Sequence, residues 1–168
     1  MKKIILASAI AASAILGATP ALAGSGNQST ATGSATATIV APIVLTHPAT
    51  ANLNFGRFTT GTGGTVTVTA AGVGSVGSDV TFVPGSTNAA DQFTVAGDAS
   101  RSFSITTTGG NVTSGATNLA FTTSASAATA ALSGTGTANF TVGGTLTVTG
   151  TAPAGSYTGT YSATVTYN

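Results

Sequence analysis

The amino-acid sequence predicts an all-β fold, an antiparallel sandwich of about eight to ten strands. Three observations carry the prediction. Apolar and hydroxyl side chains alternate in run after run, the period of a half-buried strand. The runs are short, rich in β-branched or aromatic residues, and bounded by Gly, Asn and Ser clusters at spacings of about ten residues. No window beyond residue 23 keeps a helical period. The Ala-rich stretch ASAATAAL, residues 125–132, is brief, uncapped and laced with Ser and Thr.

The first element is not part of the fold. MKKIILASAIAASAILGATPALA, residues 1–23, reads as a secretory signal peptide: Lys2 and Lys3 form the basic start, residues 4–16 the apolar centre, and Ala21-Leu22-Ala23 the cleavage site. The apolar centre is shorter than the roughly 20 residues that span a bilayer, so the mature chain is expected to carry no transmembrane segment. The signal predicts export across the inner membrane to the periplasm, then to the cell surface or the medium. About 145 residues remain once the first 23 of 168 leave.

Both lysines leave with the signal, so the mature chain sets Arg57 and Arg101 against Asp79, Asp91 and Asp98, a net side-chain charge of −1. So few cations cannot neutralise a run of phosphates, which excludes nucleic acid and anionic lipid as partners. Leu, Ile, Val and Phe make up only about a fifth of the mature chain. Disorder, however, calls for high net charge, and a folded domain with a thin core is the expectation. Cysteine is absent, so no disulfide assists that core.

Residues 24–34, GSGNQSTATGS, form a flexible polar leader, and residues 35–168 the sandwich. In ATATIVAPIVLTHP the residues Ala35, Ala37, Ile39, Ala41, Ile43 and Leu45 fall on alternate positions, a strand that Pro42 places at an edge or interrupts. Further strands are expected at residues 65–70, 79–83, 92–97, 101–107 and 119–123. NFTVGGTLTV, residues 139–148, reads as a hairpin turning at Gly143-Gly144. In the final stretch, AGSYTGTYSATVTYN, the residues Tyr157, Tyr161, Val165 and Tyr167 share one face, to be buried, and threonines share the other.

Chemistry is sparse. His47 is the only imidazole, reads as a solvated loop residue, and has no Ser in a G-x-S-x-G turn to serve. The three aspartates lie in different loops or strand edges, which argues against paired-carboxylate catalysis. Asp91 and Asp98 flank a short strand but form no calcium loop, and read as solvated turn residues. GTGG, residues 61–64, precedes a strand and not a helix, so it is no phosphate loop. No enzyme, cofactor or metal site is expected. Sheet edges are ordinarily defended with charge, especially Lys, and the mature chain has none, which points to edges that are paired in use.

LNFG at residues 53–56, F-x-V-x-G at Phe93 to Gly97, F-x-VGGTL-x-V at Phe140 to Val148 and AG-x-Y-x-G-x-Y-x-x-TV-x-Y at Ala154 to Tyr167 carry a resemblance. Together they resemble a bacterial family of secreted β domains of unknown function, DUF4402, which in turn is similar to spore-coat-U-like and archaic chaperone-usher pilin subunits. The resemblance implies an immunoglobulin-like, pilin-like sandwich lacking a strand, completed by the N-terminal segment of a neighbour. It adds a periplasmic chaperone and usher as partners. The pilins' usual disulfide is missing here, and the leader offers nothing apolar larger than Ala31. Residues 35–45 are then either the donated strand or the domain's own first strand, and the phrase leading into LNFG favours the latter.

The function expected is a non-catalytic structural subunit of an extracellular filament, fimbria or surface layer, self-associating or joined to related subunits by strand pairing. The alternative is an adhesin-like binding module presenting loops such as residues 82–92. A small outer-membrane barrel is disfavoured, because spanning strands need about 9–11 residues and most runs are shorter.

Overall fold

The structure is a computed structural model that describes residues 26–168; the signal segment read at residues 1–23 lies outside them. A compact unit begins at Ile39. In chain order its strands are β1 Val44–Thr46, β2 Phe58–Thr59, β3 Gly63–Val68, β4 Gly74–Ser78, β5 Thr81–Phe82, β6 Asp91–Ala96 and β7 Ser102–Thr108. They continue with β8 Gly110–Ser114, β9 Thr117–Ala125, β10 Thr129–Ala131, β11 Thr137–Thr149, β12 Thr158–Gly159 and β13 Ser162–Tyr167. No helix occurs among the described residues.

The large sheet runs β1-β6-β11-β9-β8-β12, with β3 joined to β11 and β4 to β3; the small sheet is β10-β7-β13, and β2 pairs with β5. Every ladder is antiparallel. No ring of pairings closes among the described residues, so the molecule is a sandwich and not a barrel.

Period-two sequence puts alternate side chains inside. Phe103 and Ile105 of β7, with Ala163, Val165 and Tyr167 of β13, pack against Phe93 and Val95 of β6 and Phe140 and Val142 of β11. A second cluster lies on the same large sheet: Val66 and Val68 of β3, Leu119 and Phe121 of β9, Leu146 and Val148 of β11, with Phe55 and Val80. No strand of the small sheet covers that second cluster. Its cover is the short β2–β5 pair, through Phe58 and Phe82, and the irregular chain around Leu53, Ala152 and Tyr157.

Several expectations need correction. Residues 139–148 are not a hairpin but the middle of β11, which pairs with β6 up to Val142 and with β3 from Gly144 onward. Gly143 and Gly144 lack the positive φ a tight turn requires; they are small because a Cβ would overlap the carbonyl oxygen of Val68 or of Thr122. They mark the place where one neighbour hands over to the next.

The strand expected over residues 35–45 exists only at β1, which pairs with β6. Residues 35–43 lie outside any strand, and Ile39 is 96% exposed. The final stretch is likewise two strands. β12 pairs with β8 in the large sheet and β13 with β7 in the small one, so the chain changes sheets at residues 160–161. Strands β4 and β8, both Gly-containing, lie outside the expected runs, and of residues 79–83 only β5 forms a strand.

Candidate functional site

Where the small sheet stops short, a groove of about 1120 Å³ with an apolar floor opens over the large sheet. Its floor comes from Val112, Leu119, Phe121, Leu146 and Val148, which are the inward side chains of β8, β9 and β11. One wall is the LNFG phrase. Leu53 and Phe55 turn into the groove, Asn54 bridges to Ala89 and caps the Gly56 amide at 2.9 Å, and Asn88 Nδ2 donates to the Phe55 carbonyl at 2.7 Å. Gly56, at φ +81°, makes the turn, and a side chain there would strike Ser86 and Asn88.

The opposite wall is the sheet-changing chain, Ala152 to Tyr161, ending at Ala163 near the start of β13. Tyr157 packs on the second core cluster and donates its hydroxyl to the Pro153 carbonyl at 2.9 Å. Tyr161 touches both clusters, while Val165 and Tyr167 pack against the first. These residues are half-buried, and the threonines between them are exposed. β13 has β7 on one side and no partner strand on the other among the described residues. The Asn168 amide bonds to Ser102 O, so the alternation of an antiparallel ladder turns the backbone groups of Ala163, Val165 and Tyr167 to the free edge.

At one end of the groove stands a polar cluster that the sequence reading missed. Asp91 is only 3% exposed, not a solvated turn residue. Its Oδ1 accepts from His47 Nε2 at 2.7 Å and from the Gln92 amide at 2.8 Å, and its Oδ2 accepts from the Tyr161 hydroxyl at 2.7 Å. The His47 ring leans on Phe93, centroids 4.8 Å apart, so it too is more than a loop side chain. Burial first, then the hydrogen bond to Asp91 and its charge, push the Tyr161 hydroxyl well above the usual tyrosine range. The cluster ties three distant segments together: the residue after β1, the start of β6, and the point where the chain changes sheets. The only sequence signal for it was the parity of Asp91, which matches inward-facing Phe93 and Val95.

The remaining candidates are placed as follows. Ala35 and Ala37 are exposed and unpaired; the Ala41 carbonyl accepts from the Tyr167 hydroxyl at 3.0 Å; Ile43 and Leu45 pack against the core. Asp98 pairs with Arg101 at 3.2 Å, at the far end of β6 from Asp91, and no group of three metal-ligating side chains occurs among the described residues. In GTGG the Thr62 amide is taken by Asp79 at 2.8 Å. The loop of residues 82–92 spends polar groups inward, with Ser86 Oγ accepting from the Arg57 amide at 2.8 Å besides the Asn88 bond. No helix among the described residues is long and apolar enough to cross a membrane.

Fold and groove together define a class: antiparallel β-sandwiches with an open, apolar-floored groove beside an unpaired strand edge. Within that class the chain belongs to the family described as "Domain of unknown function (DUF4402)", whose sequence model matches residues 45–167. No curated protein and no solved structure matches it.

Proposed function

We propose that the protein is a non-catalytic structural subunit of an extracellular filament or surface layer, in which the segment ahead of β1 pairs with the free edge of β13 in a neighbouring copy. One observation carries the reading: a groove with an apolar floor meets an unpaired strand edge at Ala163, in a chain whose own alternating segment, Ala35 to Val40, lies outside any strand among the described residues and holds Ile39 in water. A strand added there would satisfy backbone groups and bury Ile39, for about 1.5–3 kcal/mol, with each alanine methyl adding about 0.8 kcal/mol. Backbone pairing supplies the rest, at about 1 kcal/mol per net hydrogen bond. The charge-poor surface and the export signal fit a subunit assembled outside the cell.

The test is direct. The purified mature chain, concentrated, is expected to form linear assemblies visible by negative-stain microscopy, and a chain lacking residues 26–40 is expected to remain a folded monomer. A mature chain that stays monomeric at high concentration, by sedimentation, sinks the proposal.

A further inference from the structure

We propose that Tyr167 and Tyr161 clamp residues 41–47 to their own copy, so that only the stretch ahead of Ala41 is free to leave. The Tyr167 hydroxyl accepts from the Asp98 amide at 2.7 Å and donates to the Ala41 carbonyl at 3.0 Å. Its ring lies beneath the Arg101 guanidinium, 5.5 Å from the centroid, and Arg101 Nε donates to Asp98 at 3.2 Å. Gly97 leaves room for that hydroxyl, which a Cβ would overlap.

Tyr161 acts at the other end through the buried Asp91, to which its hydroxyl donates and which in turn receives His47. Between Ala41 and His47 the chain is held throughout: Ile43 and Leu45 pack on the core, and β1 pairs with Val95 and its neighbours in β6. Just outside the clamp Ile39 is 96% exposed. The step from held to free falls at the Tyr167 bond. The clamp is a property of the isolated chain; its consequence for assembly, that the donated strand ends before Ala41, rests on the proposed function. Without the clamp the larger apolar residues Ile43 and Leu45 would be the better donors, and their departure would uncover the core that Phe93 and Phe140 share.

Hydrogen exchange read by mass spectrometry tests this on the mature chain and on Tyr167→Phe, which keeps the ring and removes the hydroxyl. Exchange in residues 42–46 is expected to rise about fivefold to tenfold, with the amides of β9 and β11 unchanged. Unchanged exchange in residues 42–46, or an equal rise throughout the fold, overturns the clamp. Gly97→Ala, which displaces the hydroxyl without removing it, is expected to give the same local rise. The sequence has no cysteine, so a photo-cross-linker can be placed singly. Attached at Ile39→Cys it is expected to capture a second copy, and at Leu45→Cys only its own chain; capture of a second copy from Leu45→Cys overturns the proposal. If the mature chain forms no assemblies, the exchange result still decides the clamp, and the strand-pairing reading alone falls.

Discussion

Asp91 is a charge placed where a core side chain would otherwise stand, and it persists there because every lone-pair direction it uses has a donor. Removing it orphans three donors at once, His47 Nε2, the Gln92 amide and the Tyr161 hydroxyl. Asp91→Ala is expected to cost about 1–3 kcal/mol, read as a lower denaturant midpoint with little change in slope. The Tyr161 hydroxyl sets the alkaline limit. Its folded pKa is raised, so above about pH 10 the unfolded chain sheds a proton that the folded chain keeps, and the unfolded state gains. Stability contributed by this group is therefore complete below about pH 10 and declines as pH climbs beyond it. Melting temperatures measured from pH 8 to 11 should show that decline, and Tyr161→Phe should flatten it while lowering stability at neutral pH. An identical alkaline slope in the variant would assign the effect to other groups.

At the scale of elements, β11 organises the large sheet, because one long strand serves as neighbour to β6, β3 and β9. Its parity explains why it runs straight. Phe140, Val142, Leu146 and Val148 are all even-numbered and all buried. A two-residue turn at Gly143-Gly144 would oppose Val142 to Thr145 and Phe140 to Thr147, sending Leu146 and Val148 to the opposite face. Alternation that passes unbroken through a glycine pair is thus a signature of a continuous strand. A real tight turn joins β8 to β9 at Gly115, where φ is +58° and nothing crowds the missing Cβ. Gly144→Val is accordingly expected to destabilise by about 1–3 kcal/mol through overlap with the Thr122 carbonyl. Gly115→Asn, which tolerates a left-handed backbone, should change stability little. Comparable melting of the two variants would contradict this assignment.

For the whole molecule, the two sheets overlap over only part of the large one. The remaining apolar floor is covered by loops and the short β2–β5 pair, and what they leave open is the groove. Filling it should stabilise the domain by mass action. A synthetic peptide of residues 30–40, added to a chain lacking residues 26–40 at about a hundred times its dissociation constant, is expected to add about 2.7 kcal/mol. At about 2–4 °C per kcal/mol for a domain of this size, the melting temperature should rise by about 5–10 °C. A peptide with Ile39→Asp should have no such effect, and equal shifts for both peptides would show that the groove is not the seat.

Much of the architecture was readable along the chain, since alternation with period two is local: it places β3, β6, β7, β9 and β13 and names the face each turns inward. Proximity across the sequence was not readable. His47, Asp91 and Tyr161 stand 44 and 70 residues apart in the pairs that join them, and no local pattern marks side chains as partners over such spans. Nor does alternation name the neighbour that a strand pairs with. The stretch from Tyr157 to Tyr167 keeps one unbroken rhythm while its backbone bonds move from β8 to β7, and the segment from Ala35 to Leu45 keeps one rhythm while only its end joins the sheet. Which residues alternate is decided by the order of side chains; which edge is paired, and which cleft stays open, is decided by how many strands are present to cover the apolar face.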